Sequence, residues 1–479
     1  MFLKKIKVSI FLGMLFYLQS CADNPISKTK RSGTFQNFQT SSVPKLEGGH
    51  FELAVKKFVL NNGLKVLIVE NHRLPIFSYY TFFDVGSRNE PKGLFGGTHL
   101  LEHMLFKGTL KYKEGVFQQL IEEKGGDSNA YTTSDATVYH ANLPSVFLPT
   151  IIDLESDRMS NLVLDPVSFE KEKLVVLEER RMRYENSPPA RAHQRLLQEM
   201  YKGTPYEHAV IGSNSDIKNL KKDEVYDYFK RYYAPNNAIL VIVGDVDALK
   251  TQKLLEEKYG KIPAAPDLNE FKKRANDPQQ FVVKGGRGEM IRLHGPNMAG
   301  QFMLAYKGEA AGQKRSYAMD ILASLLSDGE SSFLVQKYVM GPKPILSSVS
   351  VVNDTDKYAG IFYLHAEALE KVTMKVAREK LLKDFKSLCK EAINERNVQK
   401  VKNQYFISFY ENLKTNSGVA TLLGTMESFF EDYNFYKKEL ASYEAVTEAD
   451  VSRVCKDILG SDNWLFVSLW KKNSEEKVP

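Results

Sequence analysis

The chain has 479 residues, of which 43% are hydrophobic, 11% aromatic and 26% charged. That balance excludes disorder on a large scale and, at ~150 residues per domain, predicts two to four domains. The formal net charge is +6, falling to about +3 once Lys4, Lys5 and Lys7 of a removable leader are discounted; so mild a charge, with no Arg/Lys-rich tract interleaved with aromatics, excludes a nucleic-acid partner.

Residues 1–20 read as a signal peptide. The three lysines form a positive start, and the apolar run from Val8 to Leu18 is too short to span a bilayer comfortably. The run ends in Leu18-Gln19-Ser20-Cys21, which resembles a bacterial lipobox, although Gln19 stands where a small residue is usual. The expected mature protein therefore begins at a lipidated Cys21 that anchors it to a membrane. It then lies on the periplasmic side of a bacterial cell envelope, and Ala22 is compatible with outer-membrane sorting. An ordinary cleaved signal with an incidental cysteine is the competing reading. Residues 21–48, rich in Ser, Lys, Thr, Asn and Gly, form a flexible tether. Cys389 and Cys455 remain, which allows at most one disulfide and no cysteine-based metal site. Both are expected as small core residues.

The folded pattern begins near residue 51. Two apolar runs at 55–60 and 64–69 flank Asn61-Asn62-Gly63, which predicts a β-hairpin. Residues 76–85 predict a third strand, and helical periodicity starts near Thr98. The run from Asn237 to Asp245 predicts a buried strand, followed by a helix at 247–259. Polarity rises through Pro263, Pro266 and Pro278. A linker is therefore expected at 266–280, between an N-terminal domain at 49–265 and a C-terminal domain at 281–479. The second half repeats the order of the first, with strands at 302–307 and 358–366 and a helix at 317–326. A charged helical region at 371–402 follows, its charges read as a solvated face, and a strand at 464–470 closes the chain. The pattern predicts an α+β fold in two duplicated halves.

The chemistry concentrates in Gly96-Gly97-Thr98-His99-Leu100-Leu101-Glu102-His103-Met104-Leu105-Phe106-Lys107-Gly108. Thr98 is suited to cap a helix start and Gly108 to end it. At about 100° per residue, His99, Glu102, His103 and Phe106 share one face, opposite Leu100, Leu101, Met104 and Leu105. So apolar a helix should be buried, and burying two imidazoles and a carboxylate without partners is costly. A metal ion removes that cost: imidazoles four residues apart can both reach one Zn²⁺. Glu102 then sits beside the ion, where a general base is needed.

A catalytic zinc needs a third protein ligand. The best donor lies in Glu172-Lys173-Leu174-Val175-Val176-Leu177-Glu178-Glu179-Arg180. On a helix Glu172 and Glu179 share a face, which also carries Val175, Val176 and Met182 as an apolar stripe, while Glu178 points about 100° away. This geometry selects Glu179 as ligand, with Glu172 as its supporting partner or an alternate ligand.

Taken together, His99-x-x-Glu102-His103 and the downstream Glu179 resemble the pitrilysin, insulysin and mitochondrial processing peptidase family of inverzincins. The likeness covers nearly the whole mature chain. Gly125-Gly126-Asp127-Ser128-Asn129-Ala130-Tyr131-Thr132 is similar to the family's substrate-edge strand. Tyr232-Tyr233-Ala234-Pro235-Asn236-Asn237-Ala238 and Val243-Gly244-Asp245-Val246 match segments that close its first domain. Ser331-Ser332-Phe333-Leu334 looks like a degraded second-domain motif.

The resemblance implies two homologous pitrilysin-like domains, each a mostly antiparallel sheet packed with helices, forming half of a clam shell. It implies one Zn²⁺ per chain and an unfolded peptide added as a strand along Asn129, Ala130, Tyr131 and Thr132. Glu102 would take a proton from the attacking water and pass it to the leaving amine. One departure stands out. Active single-chain members and complementing subunits carry an Arg and a Tyr aimed at the substrate carbonyl. Those positions fall near Phe333 and Ser347, and no Arg occurs between Arg315 and Arg378. The resemblance thus implies the zinc-bearing subunit of a two-subunit bacterial type, a heterodimer whose other chain supplies the Arg/Tyr pair.

The competing reading is a catalytically silent peptide-binding or scaffold subunit of an envelope complex; retention of all three ligands and Glu102 argues against it. A lipoprotein binding module with a structural zinc fits poorly, because such sites are closed by four protein ligands and three are evident.

Overall fold

The computed structural model describes residues 52–286, 288–295, 300–370 and 372–471. The expected signal peptide, lipidated Cys21 and tether lie outside the described residues. Six strands form a first sheet: β1 (Lys56–Val59), β2 (Lys65–Glu70), β3 (Ile76–Phe83), β4 (Asp127–Thr132), β5 (Thr137–Pro144) and β6 (Ala238–Gly244), in the order β1-β2-β6-β3-β5-β4. Five form a second: β7 (Glu289–Gly295), β8 (Gln301–Lys307), β9 (Leu346–Thr355), β10 (Gly360–Ala368) and β11 (Trp464–Lys471), in the order β7-β11-β8-β10-β9.

The two sheets are the same device used twice. Leaving β1 aside, each places its last strand parallel to its first and continues with antiparallel neighbours to a third strand at the edge. The expected α+β duplication into two pitrilysin-like halves is therefore present, and β1 is added through the hairpin at Asn61-Asn62-Gly63. Gly63 takes φ +87°, and a Cβ there would stand 2.8 Å from the Asn236 Cβ, so the turn needs glycine. β2 and β6 read as near-continuous apolar runs because both faces of the first sheet are covered. Leu240 and Ile242 point into one core with the first-half helices, whereas Ile239, Val241 and Val243 point into a second core.

That second core belongs largely to the other half of the chain. Helix Asn416–Phe430 of the second half packs on β3 and β6 of the first sheet. Gly424 makes the approach possible: a Cβ there would lie 2.0 Å from the Phe82 ring. Conversely, helix Pro188–Met200 of the first half packs on β8 and β11, where Ala192, Leu196 and Met200 join Met303, Ala305, Ile361, Leu465 and Val467. Each half closes the sheet of the other. A buried polar seam accompanies this exchange. Arg88 pairs with Asp135 at 2.7 Å, and Asp84 holds Lys272 at 2.7 Å and Lys357 at 3.4 Å.

Several expectations need correction. The segment expected as a linker at 266–280 carries a helix, Leu268–Ala275, with Leu268 buried in the first-half core. The charged region at 371–402 spans two helices, Met374–Ala392 and Glu395–Asn412, because the Asn394 side chain accepts from Asn397 N and caps the second. Cys389 and Cys455 are buried but are more than core filler: they form a disulfide joining helix Met374–Ala392 to helix Glu448–Leu459.

Candidate metal centre

The helix bearing His99 spans Gly97–Met104. Thr98 does not cap it. Glu90 does, its two carboxylate oxygens accepting from Gly96 N at 2.9 Å and Thr98 N at 2.7 Å. A carboxylate at a helix N-terminus meets the exposed N–H groups and the positive end of the dipole. The Thr98 hydroxyl bonds instead to Tyr228 at 3.1 Å. Leu100, Leu101, Met104 and Leu105 are all buried in the first-half core, as the face argument requires. With that face pinned, His99, Glu102 and His103 turn toward the helix bearing Glu179, Pro166–Arg180.

Three donors converge there. One ligand atom each from His99, His103 and Glu179 lie within 4.8 Å of one another, and this is the one such metal-capable group among the described residues. His103 Nε2 stands 3.3 Å from Glu179 Oε2, and His99 Nε2 stands 3.8 Å from Glu179 Oε1. Glu172 lies on the same helix face and receives His103 Nδ1 at 2.8 Å. That bond fixes the ring so that Nε2 is aimed at Glu179, the arrangement in which an outer carboxylate orients a metal-ligating histidine. Glu178 is exposed and pairs with Arg181 at 2.6 Å. The apolar stripe expected beside Glu179 is only partly buried: Val176 is in the core, but Val175 and Met182 are 50% and 64% exposed. The side of the helix beside Glu179 therefore opens to solvent.

Electrostatics fit a divalent cation. Burial, with the charge of His103, lowers the His99 pKa to about 4, so its imidazole is neutral at physiological pH. Burial also acts to lower His103, but its bonds to Glu172 and Glu179 outweigh that and lift it to about 9. Glu179 feels the cost of burial too, yet His103, His99 and Arg183 hold it below the usual carboxylate value. Two imidazoles and one carboxylate are the three protein ligands of a catalytic zinc site. The His99 Nδ1 is buried with no hydrogen-bond partner among the described residues, so the ring is oriented by packing.

Glu102 stands apart from the three donors. Thr132 Oγ1 donates to Glu102 Oε2, and burial raises the carboxyl pKa, an effect the Thr132 bond partly offsets. Thr132 ends β4, the edge strand that carries Asn129, Ala130 and Tyr131. β4 pairs with β5 alone, so no strand pairs with its outer edge among the described residues. The expected substrate strand and the expected base are thereby joined. Phe333 is half-buried, with Lys337 Nζ 5.2 Å from its ring centroid, and Ser347 is exposed on edge strand β9. Neither offers a guanidinium or a phenol.

Two cations escaped the sequence reading. Lys107 Nζ lies 2.8 Å from Glu172 Oε2, and Arg183 Nη1 lies 2.9 Å from Glu179 Oε1. Arg183 falls four residues after Glu179, and that helical spacing is the signal by which it could have been found. Lys107 lies past the end of the His103 helix and pairs with a residue distant in sequence, which no local spacing announces. Arg183 sits on one π-helical turn, Arg181–Glu185, that follows the Glu179 helix.

Known proteins resemble this chain over most of its length. Residues 65–214 match the family model described as insulinase (peptidase family M16), and residues 219–405 match that of the peptidase M16 inactive domain. The chain is 30% identical over 364 residues to the zinc protease PqqE of Helicobacter pylori, covering 76% of this chain and 81% of that one. It is 24% identical over 415 residues to the mitochondrial-processing peptidase subunit beta of Blastocladiella emersonii, covering 84% and 85%. The crystal structure of a protease from Helicobacter pylori superposes with a TM-score of 0.79 at 26% identity, covering 88% of this chain and all of that one. The chain belongs to the M16 peptidase family, the family of the insulinases and of the mitochondrial processing peptidases that its histidine motif resembles.

Proposed function

We propose that this chain is a zinc-dependent endopeptidase subunit that hydrolyses unfolded peptides. His99, His103 and Glu179 hold one Zn²⁺, and Glu102 is the general base. The observation that carries this reading is the convergence of His99, His103 and Glu179 beside a separate half-buried carboxylate, Glu102, tied to an edge strand. A bound zinc ion would supply a Lewis acid that polarises a water and the scissile carbonyl. The chain's own residues do the rest. The backbone of β4 receives the peptide as an added strand, held by main-chain hydrogen bonds near Asn129, Ala130, Tyr131 and Thr132. Glu102, its pKa raised by burial, accepts a proton from the attacking water and delivers it to the leaving amine. Glu172 keeps His103 in one tautomer throughout.

The oxyanion donors are proposed to come from a homologous partner subunit bearing the Arg/Tyr pair, since the positions that the family resemblance implies for that pair fall near Phe333 and Ser347 and no Arg occurs between Arg315 and Arg378. The leader and Leu18-Gln19-Ser20-Cys21 support a lipid-anchored location on the periplasmic side of the envelope, in the outer membrane. The buried Cys389–Cys455 disulfide agrees with an oxidising compartment. Mass spectrometry of the N-terminal peptide tests the anchor, and an unmodified Cys21 refutes it.

A second reading, a peptide-binding subunit without turnover, draws on the match of residues 219–405 to the inactive-domain model. Glu102→Gln separates the two. On the peptidase reading it keeps zinc and loses at least the ~10²–10⁴-fold typical of a missing general base. If wild type, assayed with its partner, cleaves no unfolded peptide, the silent reading stands.

A further inference from the structure

We propose that Lys107 is a positioning residue of the metal centre, clamping Glu172 so that one carboxylate oxygen is presented to His103 Nδ1. The inference rests on the zinc reading above. The contacts form a continuous chain. Lys107 Nζ lies 2.8 Å from Glu172 Oε2, and Glu172 Oε1 lies 2.8 Å from His103 Nδ1. Lys107 Nζ also lies 3.0 Å from Glu114 Oε1. The Glu172 side chain is 6% exposed, so water does little to fix it. Its terminal torsion is intrinsically broad, and with Oε2 left unpaired the carboxylate could rotate away from His103. The Lys107 ammonium removes that freedom from the far side. It has three donors, enough to hold Glu172 and Glu114 at once.

Local structure places the clamp. Lys107 lies three residues beyond the end of the helix that carries His103, its N–H donating to Met104 O at 2.9 Å, and its side chain reaches the same buried carboxylate. Gly108 then reverses the chain at φ +112°, bringing Glu114 back over Lys107. A Cβ at Gly108 would meet Tyr112 O at 2.7 Å and Glu114 N at 2.8 Å, so the reversal depends on glycine. Glu114 is 54% exposed and adds little energy of its own; the buried side of the clamp is the Glu172 contact. Lys107, 25% exposed, acts on the metal only through Glu172 and His103.

A double-mutant cycle on the whole mature chain tests this role, because residues acting through one contact are non-additive. Zinc affinity is measured by chelator competition for wild type, Lys107→Met, Glu172→Gln and the double variant, alongside the melting temperature of each zinc-free form. Loss of such an outer partner costs ~10–100-fold in metal affinity. Lys107→Met is expected to weaken zinc about 10-fold with its zinc-free melting temperature unchanged, and Lys107→Arg to restore most of that loss. The double variant is expected to bind zinc no more weakly than Glu172→Gln alone. Should Lys107→Met not fold, Lys107→Gln takes its place in the cycle. Unchanged affinity in the Lys107 variant, or losses that multiply in the double variant, overturns the positioning role while leaving the zinc reading intact. Failure of wild type to bind zinc overturns both.

Discussion

Thr132 Oγ1 donates a hydrogen bond to Glu102 Oε2, so the edge strand and the candidate base meet through one side chain. Burial raises the Glu102 pKa, and this bond draws it back down. Thr132→Val removes the bond and lets the pKa rise further. The base must be ionised to accept a proton, so the acid limb of the kcat/KM profile moves to higher pH. Zinc content stays that of wild type. A pH–rate profile with parallel metal analysis checks both halves of the prediction.

The ligand set makes a separate prediction by role. His99→Ala, His103→Ala and Glu179→Gln each strip zinc, whereas Glu178→Gln, which loses only an exposed pair with Arg181, does not. Without metal, His103 is protonated up to about 9 because Glu172 and Glu179 outweigh its burial. A metal ion must displace that proton. Zinc affinity therefore rises with pH until about 9 and levels off above it. Chelator competition across that range measures the slope.

Much of this centre was legible because its residues serve local geometry. His99, Glu102 and His103 lie on one short helix, and Glu172 and Glu179 on another, so period alone places each set on one face of its own helix. β2 and β6 were legible as unbroken apolar runs for a related reason: both faces of the first sheet are covered. What was not legible depends on partners distant in sequence. The apolar face of helix Pro188–Met200 does not say that it covers the second sheet, nor does that of Asn416–Phe430 announce the first. Val175 and Met182 look like core residues by type, but they flank an open site and remain exposed. Two cysteines with a sequence separation of 66 carry no signal that they pair.

The exchange of covering helices predicts where stability is vulnerable far from the metal. At Gly424 even one added methyl would stand 2.0 Å from the Phe82 ring, in a tightly packed interior. Gly424→Ala should cost about 1–3 kcal/mol, the usual range for overpacking. Denaturant titration reads the loss, and zinc affinity at the distant centre is expected to be unchanged.

The partner reading predicts a chain that binds zinc yet cleaves poorly alone. Losing one oxyanion donor costs about 10²–10³-fold in other enzymes, and Phe333 and Ser347 offer neither a guanidinium nor a phenol. Adding a homologous subunit with the Arg/Tyr pair restores cleavage on mixing, and the two copurify. A rate for the isolated chain that no such subunit improves would defeat this reading.

The central claim is that His99, His103 and Glu179 together hold one zinc ion. Anomalous diffraction at the zinc edge on crystals of the mature chain tests it most directly. The account predicts a single peak at about 2.0–2.2 Å from one nitrogen of each histidine and an oxygen of Glu179. Glu102 should stay beyond bonding distance. A peak at any other group of residues, or zinc-supplemented crystals with no peak between these three, would contradict it.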